Sequence, residues 1–361
     1  MTTWKKYKLG DLVTFQRGHD LPVSKFENGN YPVAGSNGII GYHNSYTAKG
    51  PSLTLGRSGK IGGAHYYESD FWAHNTTLYV KAFHNSDPKF MYYLLKSIDL
   101  TGHNSGSAVP SLNRNFINPI EVLAPDLPTQ RLVSETLSSL DDKIELNRRM
   151  NQTLEQMALT LFRHYFMVNI NEENLPEGWK LGKIIDLFEL QRGYDLPAPK
   201  RTAGSVPVFA AGGLNGFHNE AMVKGPGITT GRSGVIGNVY YISEDFWPLN
   251  TSLFIKRYNA STPLHAFYVL KFTDLKGLNT GSAVPTLNRN EVHSLEAIVP
   301  SKEAIIKFEE EAKLVFQKIR HNEKEIDKLT QLRDTLLPKL MSGEIDVMRT
   351  QPEALHEPVL S

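Results

Sequence analysis

The sequence predicts an α+β protein built from two copies of one unit, each with short strands, loops and a few helices followed by one long helix. Three observations support this prediction. The chain repeats itself at a constant offset of 175 residues, two long stretches lack glycine and proline, and apolar residues recur there every three or four positions. We expect the two long helices to form an antiparallel coiled coil, with a pseudo-twofold relation between the copies.

The repeat can be followed without a gap along most of the chain. Four pairs of segments correspond: 15–22 with 190–197, 56–62 with 231–237, 70–72 with 245–247, and 106–115 with 281–290. The first pair reads Phe-Gln-Arg-Gly-His-Asp-Leu-Pro and Leu-Gln-Arg-Gly-Tyr-Asp-Leu-Pro. A constant offset over this length indicates the duplication of a whole domain.

The first part of each copy is rich in glycine and aromatic residues. Short apolar runs at residues 78–80 and 253–255, separated by turn signals such as the Asn-Gly-Asn at 28–30, predict short strands. A helix is predicted at Pro88–Ser97, and another at its copy, Pro263–Phe272. These features indicate a small mixed domain.

The second part of each copy follows a proline-containing segment and has no further glycine or proline until Pro176 or Pro338. A helix of about 37 residues spans roughly 55 Å, so it needs a partner of its own length, which the other copy supplies. Packing of each helix on its own domain alone is the alternative. The predicted seam consists of Val133, Leu137, Leu140, Ile144, Asn147, Asn151, Leu154, Ala158 and Leu161 in the first helix, and Phe308, Ala312, Val315, Ile319, Asn322, Ile326, Leu329, Arg333, Leu336 and Leu340 in the second.

Two asparagines, Asn147 and Asn322, occupy equivalent seam positions near the middle of each helix. A lone polar residue in a coiled-coil seam fixes the register at a cost in stability. We expect both side chains to be buried and close to each other. The alternative is a seam offset by one residue that leaves both exposed.

Composition narrows the class of protein. The 361 residues are 40% hydrophobic and include no cysteine, which excludes disulfides, thiolate metal sites and a cysteine nucleophile. The N-terminus has no apolar core of a signal peptide and no stretch is apolar enough for a membrane span, so a cytoplasmic protein is expected. The net charge is +1, but residues 1–125 and 176–300 carry +4 and +2, whereas 126–175 and 301–361 carry −3 and −2. This distribution is compatible with two DNA-facing modules on an acidic frame.

This order of parts resembles the specificity (S) subunits of type I restriction-modification systems over residues 1 to about 345. A glycine-serine loop and Leu-Asn-Arg-Asn at 112–115 precede an apolar strand that ends in prolines, Val-Leu-Ala-Pro-Asp-Leu-Pro-Thr-Gln-Arg at 122–131. The second copy departs from this pattern, because residues 299–305 lack the Pro-Thr-Gln ending of 128–130. The start of its helix is therefore less well defined.

The resemblance implies a non-catalytic DNA-binding subunit with no cofactor of its own. Each target recognition domain would read one half of a bipartite DNA sequence, while the helices act as a ruler and dock two modification (methyltransferase) subunits. Those subunits would bind S-adenosylmethionine, and restriction subunits driven by ATP would join the complex. The implied domains are 1–127 and 173–300 for target recognition, 128–172 and 301–345 for the long helices, and 346–361 for a tail. Helices of this length would separate the half-sites by at most about 16 base pairs.

Candidate DNA-contacting residues occur in matched sets. Arginine can pair with guanine or phosphate, glutamine with adenine, and glycines allow a backbone to approach a ligand closely. The candidates are Gln16, Arg17, Ser36, Asn37, Arg57, Ser58, Lys60, Ser107, Asn113 and Arg114 in the first copy, and Gln191, Arg192, Arg232, Ser233, Ser282, Asn288 and Arg289 in the second. A structural turn or a surface salt bridge remains the alternative for each of them. The Gly-Arg-Ser-Gly-Lys run at 56–60 is not a P-loop, because the upstream glycine is absent and the second copy has Val235 in place of the lysine.

Other residues in the repeat are assigned structural roles. Phe71-Trp72 and Phe246-Trp247 are expected in the core, and His43 and His218 are expected to be structural. Since the copies are so similar, the half-sites should be similar and inverted, which gives a nearly palindromic target. Asymmetry could arise where the copies differ: His19 against Tyr194, Ser36-Asn37 against Ala211-Gly212, Lys60 against Val235, and His74 against Leu249.

Two other functions are alternatives to DNA recognition. A self-contained methyltransferase or nuclease would need motifs that are absent here, such as the Asn/Asp-Pro-Pro-aromatic tetrapeptide, and no residues have metal-ligand spacing. A non-enzymatic scaffold that binds protein or carbohydrate through glycine-rich loops is the second alternative. Salt-dependent binding to duplex DNA distinguishes it from a DNA reader.

Overall fold

The computed structural model describes residues 3–102, 111–171, 173–281 and 283–349. The chain divides into two compact units: residues up to 147 together with those from 324 onward, and residues 148–323. Each unit therefore contains one globular segment and a part of each long helix.

The first unit alternates short strands with short helices before its long helix. Its elements are β1 (Lys5–Lys8), α1 (Leu9–Leu12), β2 (Val13–Arg17), β3 (Tyr31–Gly35), β4 (Gly38–His43), β5 (Ser52–Gly56), β6 (Ala64–Tyr67), β7 (Trp72–Ala73), β8 (Thr77–Phe83), α2 (Pro88–Ser97), α3 (Arg114–Ile117), β9 (Glu121–Ala124) and the first part of α4 (Leu127–Phe166). The last part of α8, defined below, completes this unit.

The second unit repeats this order element by element. It consists of β10 (Lys180–Lys183), α5 (Ile184–Leu187), β11 (Phe188–Arg192), β12 (Val206–Ala210), β13 (Gly213–His218), β14 (Gly227–Gly231), β15 (Val239–Ile242), β16 (Trp247–Pro248), β17 (Ser252–Tyr258), α6 (Pro263–Phe272), α7 (Arg289–Ser294), β18 (Glu296–Val299) and the first part of α8 (Lys302–Met341), with the second part of α4. Both predicted short helices, α2 and α6, have the predicted bounds.

Three small sheets recur in each unit with the same strand order. In the first unit they are β2-β8-β5-β6, β4-β3-β7 and β1-β9, and in the second unit β11-β17-β14-β15, β13-β12-β16 and β10-β18. The central strands β5 and β14 are buried at every position, as expected for strands covered on both faces. The predicted duplication is therefore confirmed in the fold.

Local sequence determines where α2 and α6 begin. Each has proline at its first position, where a missing N–H costs nothing and the fixed φ favours the helix. In α2, Asp87 caps the N-terminus by accepting a hydrogen bond from Phe90 N at 2.8 Å. Gln130 ties this corner to α4, since its Oε1 accepts from Asp87 N at 2.9 Å and its Nε2 donates to Pro125 O at 2.9 Å. Gln130 of the Pro-Thr-Gln ending at 128–130 thus has a structural role in the first copy.

The long helices pair antiparallel inside the first unit. Arg333 Nη1 donates to Asp141 Oδ1 at 2.7 Å, and Asn147 Nδ2 donates to Glu325 Oε2 at 2.9 Å. Advancing six residues along α4 thus moves eight residues back along α8. Val133 and Leu137 of α4 share a buried cluster with Leu340 of α8.

The same pairing recurs inside the second unit. Asn322 Nδ2 donates to Asn151 Oδ1 at 2.8 Å, and Tyr165 Oη donates to Glu311 Oε1 at 2.9 Å. Every predicted seam residue in both helices is buried or half-buried. The predicted antiparallel coiled coil is therefore confirmed, and packing of each helix on its own domain alone is wrong.

The seam asparagines are fully buried: Asn147 is 1% exposed and Asn322 is 0% exposed. The alternative of an offset seam that exposes both is therefore wrong. Each side chain is hydrogen-bonded within its own unit or across the helix pair, to Glu325 and Asn151 respectively. Direct contact between the two asparagines stays a prediction.

Candidate nucleic-acid interface

A polar groove on the first unit collects residues that lie far apart in the sequence. It encloses a volume of about 730 Å³. Five of the predicted DNA-contacting residues line it: Gln16, Arg17, Arg57, Asn113 and Arg114. Residues that were not predicted line it as well, among them Ser111, Asp20 and Asn115. We call this surface groove 1.

Two backbone contacts hold groove 1 together. Arg57 N donates to Thr76 O at 2.8 Å, and Leu112 N donates to Arg57 O at 2.8 Å. The second contact joins the loop after β5 to the segment that carries Asn113 and Arg114. Arg57 and Arg114 are thereby brought together, and Arg114 Nη1 also donates to Phe15 O of β2 at 3.4 Å, the strand that ends at Arg17.

Arg17 is the last residue of β2 and pairs with Leu78 of β8. The chain then turns at Gly18, where a Cβ would lie 2.1 Å from His74 O. Any side chain at this position would push β2 away from the loop that follows β7. The glycine of the Gln-Arg-Gly motif is thus required by a close backbone approach, which places Arg17 at the edge of the groove.

A second groove occupies the equivalent position on the second unit. It encloses about 430 Å³ and is lined by Arg192, Arg232, Asn288 and Arg289, each 175 residues after its counterpart in groove 1. We call it groove 2. Arg232 N donates to Thr251 O and Leu287 N donates to Arg232 O, both at 2.8 Å. The same pair of backbone contacts therefore builds both grooves.

The six groove arginines supply unneutralised positive charge. Within the described residues none of them lies within ion-pair distance of a carboxylate, whereas Arg257, outside the grooves, pairs with Glu189 at 3.1 Å. The acids nearest in sequence, Asp20 and Asp195, are hydrogen-bonded to Asn75 and Asn250. Three arginines outweigh the one lining carboxylate, Asp20, in groove 1, and groove 2 has no lining carboxylate, so both grooves are concave cationic surfaces, as anion recognition requires.

Asn113 and Asn288 have a structural role that was not predicted from the sequence. Asn113 Oδ1 accepts from Asn115 N at 3.0 Å, and Asn288 Oδ1 accepts from Asn290 N at 3.0 Å. Each caps the short helix that follows it. An asparagine directly before a helical segment is a common N-cap, so this signal was present in the sequence.

Some predicted residues lie beside the grooves and do not line them. Ser58 and Ser233 follow the groove arginines, and their amides donate to Thr76 O and Thr251 O. Ser36 and Lys60 form a separate cluster, where the β3–β4 turn, which also carries Asn37, meets the loop after β5. Burial lowers the pKa of His65 in this cluster, and the nearby Lys60 charge lowers it further. Ser107 and Ser282 lie outside the described residues.

Gln191 is placed differently from its counterpart Gln16. Its Nε2 donates to Tyr194 Oη at 3.3 Å, and it is not among the residues that line groove 2. Ser111 and Thr286, one position before the Leu-Asn-Arg runs, line the two grooves at equivalent positions. The repeat could have identified this pair, since both are hydroxyl residues next to the predicted arginines.

The aromatic and histidine pairs have the expected structural positions. Phe71 and Phe246 are 0% exposed, and each of their tryptophan neighbours is half-buried. His43 Nδ1 accepts from Glu27 N at 3.1 Å, and His218 Nδ1 accepts from Thr202 N at 3.0 Å. None of these side chains lines groove 1 or groove 2.

Two kinds of feature are absent from the described residues. No group of His, Cys, Asp and Glu side chains is arranged to hold a metal ion there. In the same part of the chain, no helix is long and apolar enough to cross a membrane.

A protein-family model matches most of the chain. The model of the type I restriction modification DNA specificity domain matches residues 1–156 and 176–335. The chain is 25% identical over 315 residues to the type I restriction enzyme MjaIX specificity subunit of Methanocaldococcus jannaschii, covering 74% of this chain and 72% of the relative. It is 24% identical over 362 residues to the HindI specificity subunit of Haemophilus influenzae, covering 72% and 77%.

A solved structure has the same fold. The crystal structure of the S subunit of a type I restriction-modification system from M. genitalium matches with a TM-score of 0.73 at 19% identity, over 94% of this chain and 96% of that chain. Each of the two ranges that the family model matches contains one complete groove.

Proposed function

Because the chain belongs to the family of type I restriction-modification specificity subunits, we propose that its two grooves read the two halves of a bipartite, nearly palindromic DNA target. The observation that carries this proposal is the recurrence of one cationic groove, with three arginines each, at equivalent positions of both units. Two equivalent reading surfaces suit two similar half-sites.

The chemistry of the grooves fits duplex DNA. An arginine can make two parallel hydrogen bonds to guanine O6 and N7, or neutralise a phosphate. Arg17 and Arg192, at strand ends, are exposed and long enough to reach a base edge. Arg57 and Arg232 are half-buried with a fixed backbone, which suits contacts to phosphate that set the register.

A scaffold that binds carbohydrate or protein is supported less well. Carbohydrate sites combine aromatic platforms with paired acceptors, but Phe71 and Phe246 are fully buried and neither they nor their tryptophan neighbours line a groove. Six arginines without carboxylate partners favour a polyanion. Binding to DNA that weakens steeply as salt rises is the expected behaviour.

We further propose that this subunit is non-catalytic and docks two modification subunits and restriction subunits through its helices. On this proposal S-adenosylmethionine and ATP are bound by those partners, the chain holds no cofactor, and the complex works in the cytoplasm. The support is the family, together with relatives that are named as specificity subunits of restriction enzymes. The paired parts of α4 and α8 offer elongated polar surfaces for such partners.

Co-expression with the methyltransferase subunit encoded next to this chain tests the proposal. Single-molecule sequencing of the host DNA would locate the methylated adenines. A bipartite motif with two similar inverted half-sites, methylated only when this chain is present, is the expected result. Methylation that is independent of this chain would contradict the proposed function.

A further inference from the structure

The two grooves differ most clearly beside the glutamine of the Gln-Arg-Gly motif. In the second unit Gln191 Nε2 donates to Tyr194 Oη at 3.3 Å. In the first unit the equivalent of the tyrosine is His19, and the amide of Gln16 has no hydrogen-bond partner among the described residues. Gln16 lines groove 1, whereas Gln191 does not line groove 2.

The backbone around this pair is the same in both units. His19 N donates to Ala73 O at 2.7 Å, and Tyr194 N donates to Pro248 O at 2.8 Å. Each ring lies edge-on to the half-buried tryptophan of its own unit, at a centroid distance of 6.4 Å. The difference between the two glutamines therefore comes from the side chains alone.

This difference changes what each glutamine can offer to a base. A free glutamine amide presents a donor and an acceptor together, the pattern that pairs with adenine N7 and N6. A phenol that accepts one N–H fixes the orientation of the amide and uses part of its hydrogen-bonding capacity. Gln191 is thus held by Tyr194, and neither residue lines groove 2.

We propose that Tyr194 is a positioning residue that withholds Gln191 from DNA, while Gln16 reads an adenine in the first half-site. The inference rests on the proposed function. One base pair of the nearly palindromic target is then selected strictly in the first half-site and loosely in the second. His19 permits this contact, because it makes no hydrogen bond to Gln16.

The test uses the full chain in complex with its modification subunits and selection from randomised duplex DNA. Tyr194→Phe removes one hydroxyl and releases Gln191, so the second half-site should gain adenine selectivity of about 5- to 150-fold at one base pair. His19→Tyr should lower selectivity at the equivalent base pair of the first half-site by a similar factor. In each variant the unaltered half-site is the internal control.

Two further variants keep the inference falsifiable if a substitution disturbs folding. Gln16→Leu should remove the selectivity at that base pair, and Gln191→Leu should change nothing. His74→Leu is a matched control, because His74 also differs between the copies but both its ring nitrogens contact the protein, at Thr76 Oγ1 (3.0 Å) and Leu21 O (3.2 Å).

Specific binding with unchanged base preference in Tyr194→Phe and Gln16→Leu would overturn the inference and leave the proposed function standing. The absence of sequence-specific binding by the unaltered complex would overturn the proposed function, and this inference with it.

Discussion

The two units build the same groove on differently packed helices. In the first unit Asp141 of α4 accepts hydrogen bonds from Tyr93 Oη at 2.8 Å and from Arg333 Nη1 at 2.7 Å. At the equivalent positions the second unit has Phe316 in place of the acid and Ala158 in place of the arginine. A polar network on one side thus corresponds to an aromatic and aliphatic contact on the other.

A similar exchange occurs where the long helices pack on the globular segments. Phe162 and Phe308 lie in an aromatic cluster around the fully buried His265 in the second unit. The first unit has Phe90 in place of His265 and Val133 in place of Phe308. The comparison shows that the groove depends on local backbone contacts, whereas the chemistry of the supporting core can be exchanged.

The largest expected effect comes from removing the groove arginines. Arg17→Ala, Arg57→Ala and Arg114→Ala combined should weaken specific DNA binding by at least about 100-fold, since each good base contact is worth about 1–3 kcal/mol. The slope of log K against log salt should also become shallower, by about one for each arginine–phosphate pair that the substitutions remove. The equivalent triple variant of groove 2 should behave alike.

Fluorescence titrations at several salt concentrations measure both effects. Arg257→Ala is the matched control, because this arginine lies outside the grooves and is paired with Glu189. If the control weakens binding as much as a groove variant, the two grooves are not the DNA-binding surfaces.

The polar network in the first unit gives the next largest effect. Asp141→Ala should lower the free energy of unfolding by about 2 kcal/mol, because it leaves the hydroxyl of the buried Tyr93 without its acceptor and Arg333 with only Asp334. The double variant Asp141→Phe with Arg333→Ala installs the residues of the other unit. It should recover part of this loss, because a well-packed apolar contact can replace a half-buried ion pair, whereas the hydroxyl of Tyr93 stays without its acceptor.

Urea unfolding midpoints of the single and double variants distinguish these expectations. A double variant that is less stable than Asp141→Ala would show that the packing of the two units is not interchangeable.

The buried His265 makes the stability of the second unit depend on pH. Burial lowers the pKa of His265 from its ordinary value of 6.5 to about 3. Below pH 6.5 the unfolded chain therefore binds a proton that the folded unit does not, so stability falls as the pH drops. The loss approaches about 1.4 kcal/mol per pH unit, or about 2 kcal/mol at pH 5.

Calorimetry between pH 5 and 7 tests this prediction with His265→Phe, which installs the residue of the first unit. The variant should lose this part of the acid sensitivity. Ser261→Ala is the control, because it removes the hydrogen bond to His265 Nδ1 and keeps the imidazole. Parallel pH profiles for His265→Phe and the unaltered protein would contradict the assignment.

The smallest expected difference separates the two seam asparagines. Asn147→Leu removes a charge-assisted bond to Glu325 and should cost about 1.5 kcal/mol. Asn322→Leu should be nearly neutral, since Asn322 Oδ1 is buried without a hydrogen-bond partner among the described residues, and leucine removes that unsatisfied atom. If Asn147→Leu and Asn322→Leu lose equal stability in thermal unfolding, the predicted difference between the two asparagines is wrong.

The internal repeat, the prolines and the spacing of apolar residues were sufficient to predict the duplicated domains and the paired long helices. The offset of 175 residues predicted the duplicated domain, Pro88 and Pro263 were predicted as the first residues of α2 and α6, and the three-four spacing predicted the seam. The ends of the short strands were not predicted. Nor was it predicted which strands pair with each other, because local patterns carry no information on which distant strands meet.

The sequence identified the groove arginines, but it did not show that they come together on one surface. Convergence of Arg57 with Arg114 depends on one backbone bond between residues 57 and 112, which no local pattern reveals. The capping role of Asn113 and the bond between Gln191 and Tyr194 were missed, because residue type alone does not show whether a polar group faces a ligand or its neighbour. Arg333 fell on the predicted seam, but its partner Asp141 was not foreseen.

The central claim is that each groove reads one half-site. Hydroxyl-radical footprinting of the complex on its own target tests it most directly, comparing the unaltered chain with the groove 1 and groove 2 triple arginine variants. We predict that each triple variant loses protection over one half-site only, and that the two variants lose opposite halves. Loss of both half-sites together, or full protection in both variants, would contradict the claim.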